Sequence, residues 1–448
     1  MRVQPARKLR HDLSRRHMRM IGIGGIIGAG LFVSSGSVIA SAGPASIVAY
    51  AAGGLLVILV MRMLGEMAAA HPASGSFSEY ARMAFGRAAG FMTGWTYWYF
   101  AVFVIAFEAV AGAQLARVFV PELPVWLGAL ILLAVLTGAN LVSVRLFGET
   151  EFWLASIKVG LIVGFLVAGA VFAAGLWPGG GGVEALWVHG GFAPHGWGAV
   201  LQALVMVIFA YFGAGIVTIA AAESAEPARE VARATVSVVW RVLVFYVGSI
   251  FVIVAVVPWN QVPADGQGSP FATAFDRLGI PGAATLMNLV VLVAVVSILN
   301  AGVYGSSRML MALAARGEAP AVLGRVAPSG VPVPAVLAGA SVGVVAVVLA
   351  VLFPGEVFGF LLNASGLLTL LLYLVIAASQ LKLRRTLPQD GEVRMWGHPW
   401  LSAAVIVVLL AALAAVVTSP GTLPIIAGVA TVLALTYAAY LVAFRKDI

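Results

Sequence analysis

Long apolar stretches, separated by short polar loops, run through almost the whole of this chain. A helix needs about 20 apolar residues to cross a bilayer, and a segment in lipid must satisfy its backbone hydrogen bonds internally. Each stretch therefore predicts a transmembrane helix. The pattern predicts twelve spans, at 18–41, 44–69, 89–116, 124–144, 152–176, 199–222, 236–257, 283–312, 333–353, 356–380, 400–418 and 424–443.

The composition of the chain agrees with a membrane protein. Of its 448 residues, 62% are apolar and 10% are charged, whereas a soluble domain has about 25% charged residues. A soluble globular protein is therefore excluded, and no stretch has room for a separate nucleotide-binding domain. The chain has no cysteine, which excludes disulfides, thiolate metal sites and thiol catalysis.

Lysine and arginine residues fall almost entirely on one side of the predicted membrane. With the basic N-terminal tail in the cytoplasm, Arg117 and Arg277 lie outside, Lys158 lies within a span, and all the others lie inside. This positive-inside bias predicts that both termini are cytoplasmic. The net charge of +8 is then explained by contact with anionic membrane lipids, and nucleic acid is not an expected partner.

Two spans at matching positions are interrupted by glycine. Five glycines lie between Gly22 and Gly30 in span one, and Gly213-Ala214-Gly215 lies in span six. Glycine costs about 1 kcal/mol relative to alanine in a helix, and paired interruptions in two halves of a chain indicate a transporter built from inverted repeats. The alternative is that the glycines only allow helices to pack closely.

Such breaks create a site for a zwitterion. Where a helix restarts, free N–H groups favour a carboxylate, and where the preceding half ends, free carbonyl groups favour an ammonium group. In span one, the N–H groups expected at the break are those of Gly28, Ala29 and Gly30. The sequence therefore predicts a small zwitterionic amino acid as the substrate.

Two ionisable residues, Glu108 and Lys158, lie well inside spans three and five. A charge at that depth is costly and usually functional, so both are candidate proton carriers. Two alternatives stay open: Lys158 snorkels to the headgroups, and Glu108 is a protonated residue that only packs. The six histidines lie in tails and loops, so no metal site is expected, no cofactor is indicated, and the chain is not expected to be an enzyme.

Three polar features at the inner ends of spans are predicted to be structural. The segment from Ser74 to Phe85 is expected to form a short amphipathic helix with a serine cap, and 223–241 is expected to be a second ordered connector. Both are interpreted as solvated cytoplasmic segments. Arg62 and Glu66, at the inner end of span two, are expected to take part in a structural pairing.

Several motifs together resemble one superfamily of transporters. They are Gly28-Ala29-Gly30-Leu31-Phe32-Val33, Ala42-Gly43-Pro44-Ala45, Ser74-Gly75-Ser76-Phe77-Ser78, Glu151-Phe152-Trp153-Leu154-Ala155, Ala220-Ala221-Ala222-Glu223-Ser224 and Val257-Pro258-Trp259-Asn260. With these motifs the chain resembles the amino acid–polyamine–organocation superfamily over nearly its whole length. Within that superfamily it resembles the bacterial amino acid permeases, and in particular the γ-aminobutyrate permeases.

The resemblance implies an all-α integral membrane protein of the bacterial inner (cytoplasmic) membrane with twelve transmembrane helices. It implies the LeuT-like 5+5 inverted repeat, in which spans one and six are discontinuous. The chain would divide into a cytoplasmic tail (1–17), a first repeat (18–176), an outer loop (177–198), a second repeat (199–380), a cytoplasmic loop (381–399) and spans eleven and twelve with a short tail (400–448).

The resemblance also implies site residues. Substrate would be held around the two breaks, by Ile26, Gly28, Ala29, Gly30, Phe209, Phe212, Gly213 and Gly215. Glu108 would lie near the substrate, and Lys158 would fill the place that sodium occupies in sodium-coupled relatives. Gly215 departs from the family pattern, which has an acidic residue at that position. The substrate ammonium would therefore rely on backbone carbonyls and Glu108.

The expected function is import of a small zwitterionic amino acid, with γ-aminobutyrate as the candidate, by proton-coupled alternating access. One alternative is a sodium-coupled or exchange-type amino acid transporter, with Ser306 and Ser307 as candidate sodium ligands. An alternative from another class is a transporter-like membrane sensor or a channel. Protons and membrane lipids are the other expected partners, and the sequence does not indicate an oligomeric state.

Overall fold

The protein is described by a computed structural model in which the regular structure is helical. The described residues are 16, 20, 27–73, 75–178, 180–211, 215–220, 229–230, 242–264, 268–353, 356–387, 393–419 and 421–445. The helices are Ala29–Phe32, Ser35–Ala42, Ser46–Ala70, Phe77–Phe85, Arg87–Ala116, Val125–Val142, Val144–Ala173, Ala185–Val188, Gly196–Ala210, Ile216–Ala220, Gly248–Val256, Pro270–Arg277, Ala283–Ala315, Val333–Leu352, Glu356–Leu383, Trp400–Thr418 and Leu423–Ala443. Shorter helical turns lie at Gly43–Ala45, Trp259–Gln261 and Ala321–Gly324, and a π-helical segment at Val242–Val247.

The predicted spans correspond to these helices. Within the described residues, nine helical stretches are long and apolar enough to cross a membrane. One of them, Ala29–Ala70, contains the part of span one from Ala29 onward and all of span two. Two shorter apolar helices, Gly196–Ile208 and Val244–Val256, belong to spans six and seven. Each of the twelve predicted spans therefore has a helical counterpart.

Span five begins earlier than the sequence pattern predicts. Its helix runs over Val144–Ala173 instead of 152–176. The helix starts where Ser143 caps it, because the serine Oγ accepts a hydrogen bond from Leu146 N at 3.1 Å. The first two turns contain polar residues, which hide this start from a search for apolar stretches.

The predicted amphipathic helix after span two is present as Phe77–Phe85, and we call it the connector helix. Ser76 occupies the N-cap position, but it makes no side-chain cap hydrogen bond, and its Oγ instead lies 2.7 Å from Thr218 Oγ1 of span six. The helix is solvated on one face only, because Phe77 and Tyr80 are buried whereas Met83 and Phe85 are exposed. The second expected connector, 223–241, lies outside the described residues apart from 229–230.

Spans three and eight form the centre of the bundle. In the most apolar windows 78% of span three, 72% of span ten and 61% of span eight are buried, whereas 28% of span five, 28% of span eleven and 17% of span twelve are buried. Spans five, eleven and twelve therefore present much apolar surface to lipid. Residues that must be shielded from lipid and water are best placed on the central spans.

The outer end of span one is covered by the segment that precedes span eight. Ser269 Oγ donates a hydrogen bond to Phe32 O at 2.9 Å. The Phe32 ring centroid lies 4.8 Å from that of Phe271, and Phe165 of span five packs against Phe271 at 4.9 Å. This aromatic packing shields the break in span one on the predicted outer side.

Candidate functional site

The described helix of span one begins at Ala29, which is where the glycine pattern predicts that the helix restarts. Gly28 has an extended backbone and precedes the short helix Ala29–Phe32. The N–H groups of Leu31 and Phe32 bond to Gly28 O at 3.1 Å. The N–H of Ala29 instead points away from the helix, towards Glu108 Oε2 at 3.4 Å. The break thus exposes one backbone donor, and a buried carboxyl group lies against it.

The two interrupted spans touch each other at Gly30. A Cβ atom on Gly30 would lie 2.8 Å from Ala210 Cα, which belongs to the last residue of the first helix of span six. A Cβ atom on Gly28 would lie 2.3 Å from Ile298 Cγ1 and 3.0 Å from Glu108 Oε1. These positions have no room for a side chain, so glycine is what brings the two breaks together.

The carbonyl end of the first half of span six has a partner that the sequence analysis missed. Tyr246 of span seven donates its hydroxyl hydrogen to Ala210 O at 2.9 Å. Tyr211 donates to Tyr50 O at 3.0 Å, and the rings of Tyr211 and Tyr246 lie 4.3 Å apart. A tyrosine in an apolar span is common as a packing residue, so nothing in the sequence distinguishes Tyr246 from the others.

Several predicted substrate residues are only partly described. Ile26, Phe212 and Gly213 lie outside the described residues, as does the side chain of Phe209, whose backbone is helical. Gly215 lies just before the second helix of span six. Among the described residues, a Cβ atom there would contact only Phe77 Cε1 of the connector helix, at 3.9 Å. The described surroundings of Gly215 therefore leave room for a side chain, in contrast to those of Gly28 and Gly30.

Lys158 joins span five to span one and span eight. Its Nζ donates to Ile27 O at 3.0 Å, beside the break, and to Ser297 Oγ at 2.8 Å. The side chain is fully buried. The lysine therefore does not snorkel to the membrane surface, and its ammonium is held by a backbone carbonyl of the interrupted span.

Glu151 is a further buried acid that the sequence analysis did not single out. Ser297 Oγ donates to Glu151 Oε1 at 2.5 Å, so the serine links this carboxyl group to Lys158. Lys158 lies close enough to both Glu151 and Glu108 for their charges to interact. Glu151 precedes Lys158 by seven residues, which is about two helical turns. The spacing of these two residues could have identified Glu151 from the sequence. It did not, because the apolar pattern places the start of span five at residue 152, just after Glu151.

A family model described as amino acid permease matches residues 17–444. This chain belongs to the amino acid permease family. A gamma-aminobutyric acid permease of Bacillus subtilis (strain 168) is 50% identical to the permease over 407 residues, which cover 90% of this chain and 86% of the relative. A gamma-aminobutyric acid permease of Escherichia coli (strain K12) is 48% identical over 399 residues, with 88% and 85% covered.

A solved structure shares the fold of the permease. The crystal structure of a manganese transporter of Eremococcus coleocola superposes with a TM-score of 0.60 at 14% sequence identity, and the match covers 98% of this chain and 96% of that chain. The permease therefore has the LeuT-like fold of twelve transmembrane helices. Its family and relatives are transporters and not enzymes, so amino acid transport is favoured over the channel and sensor alternatives.

The two serines considered as sodium ligands already have polar partners in the permease. Ser307 Oγ donates to Tyr304 O at 2.7 Å and accepts from Arg308 Nη1 at 3.0 Å. Ser306 Oγ donates to Val303 O at 3.1 Å. A sodium ion at Ser307 would face a buried guanidinium group, which repels it. In the described part of the chain, no three His, Cys, Asp or Glu side chains are grouped so as to hold a metal ion.

The polar residues at the inner end of span two take part in structural pairings, as predicted, but each pairs with a residue near span ten or eleven and not with the other. Glu66 is buried and forms an ion pair with Arg384 after span ten, not with Arg62. Gln380 Nε2 also donates to Glu66 Oε2, at 2.7 Å. Arg62 Nε donates to Arg394 O at 2.6 Å. These contacts tie span two to span ten and to the loop before span eleven.

Proposed function

We propose that this permease imports a small zwitterionic amino acid, with γ-aminobutyrate as the leading candidate, by proton-coupled alternating access. The observation that carries the proposal is the position of Lys158, whose ammonium lies 3.0 Å from Ile27 O and 2.8 Å from Ser297 Oγ. In the proposed orientation the protein lies in the bacterial cytoplasmic membrane with both termini inside. The repeats at 18–176 and 199–380 would move against each other around the two breaks.

The proposed substrate site uses the two breaks as its two poles. The substrate carboxylate would bind the backbone donors around Gly28, Ala29 and Gly30, and the ammonium would lie near the carbonyl end at Ala210. The contact between Gly30 and Ala210 supports placing both poles in one small site. Relatives that are gamma-aminobutyric acid permeases support γ-aminobutyrate, which has a carboxylate at one end and an ammonium at the other.

Glu108 would couple the proton to the substrate through competition for one N–H group. Its Oε2 lies 3.4 Å from Ala29 N, where the substrate carboxylate is expected to bind. Two charged carboxylates at one amide repel each other, whereas a protonated Glu108 does not. Proton binding and substrate binding would then favour each other, and this coupling is reciprocal by thermodynamic necessity.

Lys158 would couple its own protonation state to the conformation of span one at the break. When Lys158 is charged, it donates a charge-assisted hydrogen bond to the carbonyl of Ile27. Such a bond is roughly twice as strong as a neutral one. When Lys158 passes its proton to one of the two carboxylates near it, Glu151 or Glu108, that restraint on the break weakens. The step would leave a neutral amine and free Ile27 to move with the first half of span one.

The test measures uptake of radiolabelled γ-aminobutyrate into proteoliposomes containing the purified permease. Accumulation should follow an imposed inward pH gradient in sodium-free buffer, collapse with a protonophore, and be competed by unlabelled γ-aminobutyrate. An imposed sodium gradient at equal pH should drive no accumulation. Uptake that requires sodium and ignores pH would support the sodium-coupled alternative, and counterflow without net accumulation would support exchange.

A further inference from the structure

A pocket of about 660 Å³ lies at the predicted cytoplasmic ends of spans ten and eleven. Its mouth is lined by Phe85 at the end of the connector helix and by Lys382, Arg385 and His398. Its wall continues along Ile406, which is six residues inside span eleven, or about 9 Å from the start of that helix. The pocket therefore changes from basic to apolar with increasing depth in the membrane.

The basic side chains at the mouth are available to a ligand. Lys382 and Arg385 are exposed, and neither forms an ion pair in the part of the chain that the structure describes. Lys382 Nζ lies 5.0 Å from the Phe85 ring centroid, which holds the lysine over the mouth. The described residues that line the pocket include no acid. Among the described residues, positive charge is thus concentrated at the mouth of this pocket.

The pKa of His398, which lies at the mouth of the pocket, is affected by the same positive charges. Burial, and then the charges of Arg384 and Arg385, lower the pKa of His398 below its ordinary value of 6.5. Because Arg384 is paired with Glu66, Arg385 is the nearby guanidinium that an external anion would neutralise. An anion in the pocket would raise the pKa of His398.

Aromatic residues place the mouth at the level of the lipid headgroups. Trp400, the first residue of span eleven, is 83% exposed. Trp396 stacks under the guanidinium group of Arg62, 3.9 Å from the ring centroid. Exposed tryptophan beside basic residues is typical of the membrane–water interface, and basic pockets between helices on the cytoplasmic side suit anionic headgroups.

We infer that this pocket binds an anionic phospholipid, with the headgroup phosphate between Lys382 and Arg385 and an acyl chain along the apolar wall at Ile406. A free phosphate ion would use the basic mouth but not this wall, so the combination favours a lipid. The ligand class is a phosphate monoanion that carries acyl chains, such as phosphatidylglycerol.

The occupied pocket would be connected to the buried ion pair of span two. His398 Nδ1 lies 3.3 Å from Ser402 Oγ, which donates to Gln380 Oε1 at 3.0 Å. Gln380 in turn donates to Glu66. A headgroup that orders His398 would therefore stabilise the junction of spans two, ten and eleven.

The experiment measures lipid binding to the purified permease by native mass spectrometry during titration with dioleoyl-phosphatidylglycerol. The double variant K382Q/R385Q should bind the first lipid roughly tenfold to thirtyfold more weakly, because each basic residue at a membrane surface contributes about 1 kcal/mol. The matched control R325Q/R445Q removes two other exposed arginines of the predicted cytoplasmic side and should bind as the wild type does. Equal weakening in both double variants would overturn the proposal.

Two further arms identify the source of the phosphate. Phosphatidylcholine with the same acyl chains should bind more weakly than phosphatidylglycerol, and glycerol 3-phosphate in excess should not displace the bound lipid. Phosphatidylglycerol should also raise the thermal unfolding temperature of the wild type and the control but not of K382Q/R385Q. Full displacement by glycerol 3-phosphate would show that the pocket binds soluble anions and not lipid. Equal binding of phosphatidylcholine would show that the pocket does not select an anionic headgroup, which would overturn the proposal.

Discussion

At Lys158, one ammonium group joins three spans. It donates to the backbone of span one and to Ser297 of span eight, and the serine passes the link to Glu151. The side chain is buried, so removing the charge exposes a carbonyl and a hydroxyl to an apolar space. The cost of leaving a buried polar group unpaired is about 1–3 kcal/mol.

Two substitutions at Lys158 separate its charge from its proton. Lys158→Met keeps most of the stem and removes the charge, whereas Lys158→Arg keeps a charge that does not deprotonate in proteins. Under the proposed coupling, both variants should lose uptake driven by a pH gradient in proteoliposomes, and Lys158→Arg should keep more substrate binding. Gradient-driven accumulation by Lys158→Arg at the wild-type level would mean that the charge alone is required.

For Glu108, the geometry changes the expected effect of substitution. The sequence placed it near the substrate ammonium, and Glu108→Gln would then weaken binding by about 2 kcal/mol, as the loss of a charge-assisted contact does. The structure places its carboxyl group against Ala29 N, where the substrate carboxylate is expected. Glu108→Gln should then imitate the protonated acid, so binding should stay tight and lose its dependence on pH. Calorimetric titrations at several pH values distinguish the two outcomes.

The contact between the breaks predicts that Gly30 does not tolerate a methyl group. Gly30→Ala would place Cβ 2.8 Å from the backbone of Ala210, and overpacking of this kind costs about 1–3 kcal/mol. Transport should be lost, and the thermal unfolding temperature should fall. Gly164→Ala in span five is the matched control, since no described atom outside its own helix lies within 4 Å of its added Cβ; comparable damage from both variants would contradict the explanation.

Among the elements, the connector helix differs most between the role that the sequence predicts and the contacts that the structure shows. It lies against span six through Ser76 and Thr218 and against the end of span eight through Arg316. Arg316 Nη2 donates to Ser78 Oγ at 3.0 Å, and Arg316 Nε donates to Glu318 Oε2 at 2.8 Å. The helix therefore bridges the two repeats on the predicted cytoplasmic side.

Arg316→Gln should loosen the connector helix. Glu79 belongs to the same cluster: a hydrogen bond from Arg82, and then the charges of Arg82 and Arg316, lower the pKa of Glu79 below its ordinary value of 4.5 against the effect of burial. Amide hydrogen exchange in the helix should become about fivefold faster in the variant, as expected for the loss of about 1 kcal/mol. The exposed Arg325→Gln should leave exchange unchanged.

The sign of the pH effect on the connector helix follows from the lowered pKa of Glu79. The charged carboxylate contributes stability that is complete above the ordinary pKa and is lost as the pH falls through the lowered value. Exchange, corrected for its intrinsic pH dependence, should accelerate in the wild type at acidic pH. It should accelerate less in Glu79→Gln, and an unchanged acid response there would assign the effect to another group.

Elements were more predictable than the pairings between them. The spans are visible in the sequence because lipid demands continuous apolar helices, and the two breaks are visible because glycine is costly in a helix. Ser76 with Thr218, Glu66 with Arg384, and Tyr246 with Ala210 join residues distant in the chain. Such pairs depend on helix packing, which no local pattern encodes.

Over the whole molecule, the distribution of burial separates a functional centre from a lipid-facing edge. Spans three and eight supply Glu108 and Ser297 to the centre, while span twelve is the least buried at 17%, and spans five and eleven follow at 28% each. The basic residues have a different distribution, because they follow the membrane sides and not the depth of packing. The orientation of the protein in the membrane is therefore predicted from the distribution of its charges, and this prediction does not depend on the fold.

The absence of cysteine makes this orientation directly measurable. Glu184→Cys, in the outer loop, and Arg325→Cys, between spans eight and nine, each introduce one thiol at an exposed position. On intact cells a membrane-impermeant maleimide should label Glu184→Cys and not Arg325→Cys, and both should react after the membrane is opened. The reverse pattern would invert the orientation inferred from the positive-inside bias.

The buried ammonium of Lys158 has a consequence for the conditions in which the permease works. A sodium ion must be collected from solution in every cycle, so the occupancy of its site follows the salt content of the surroundings. A cation tethered to span five has an effective concentration fixed by its own side chain and cannot diffuse away. If Lys158 takes the place of the sodium ion as proposed, uptake of the amino acid should be as effective at low salt concentration as at high salt concentration. The external pH would then limit the uptake.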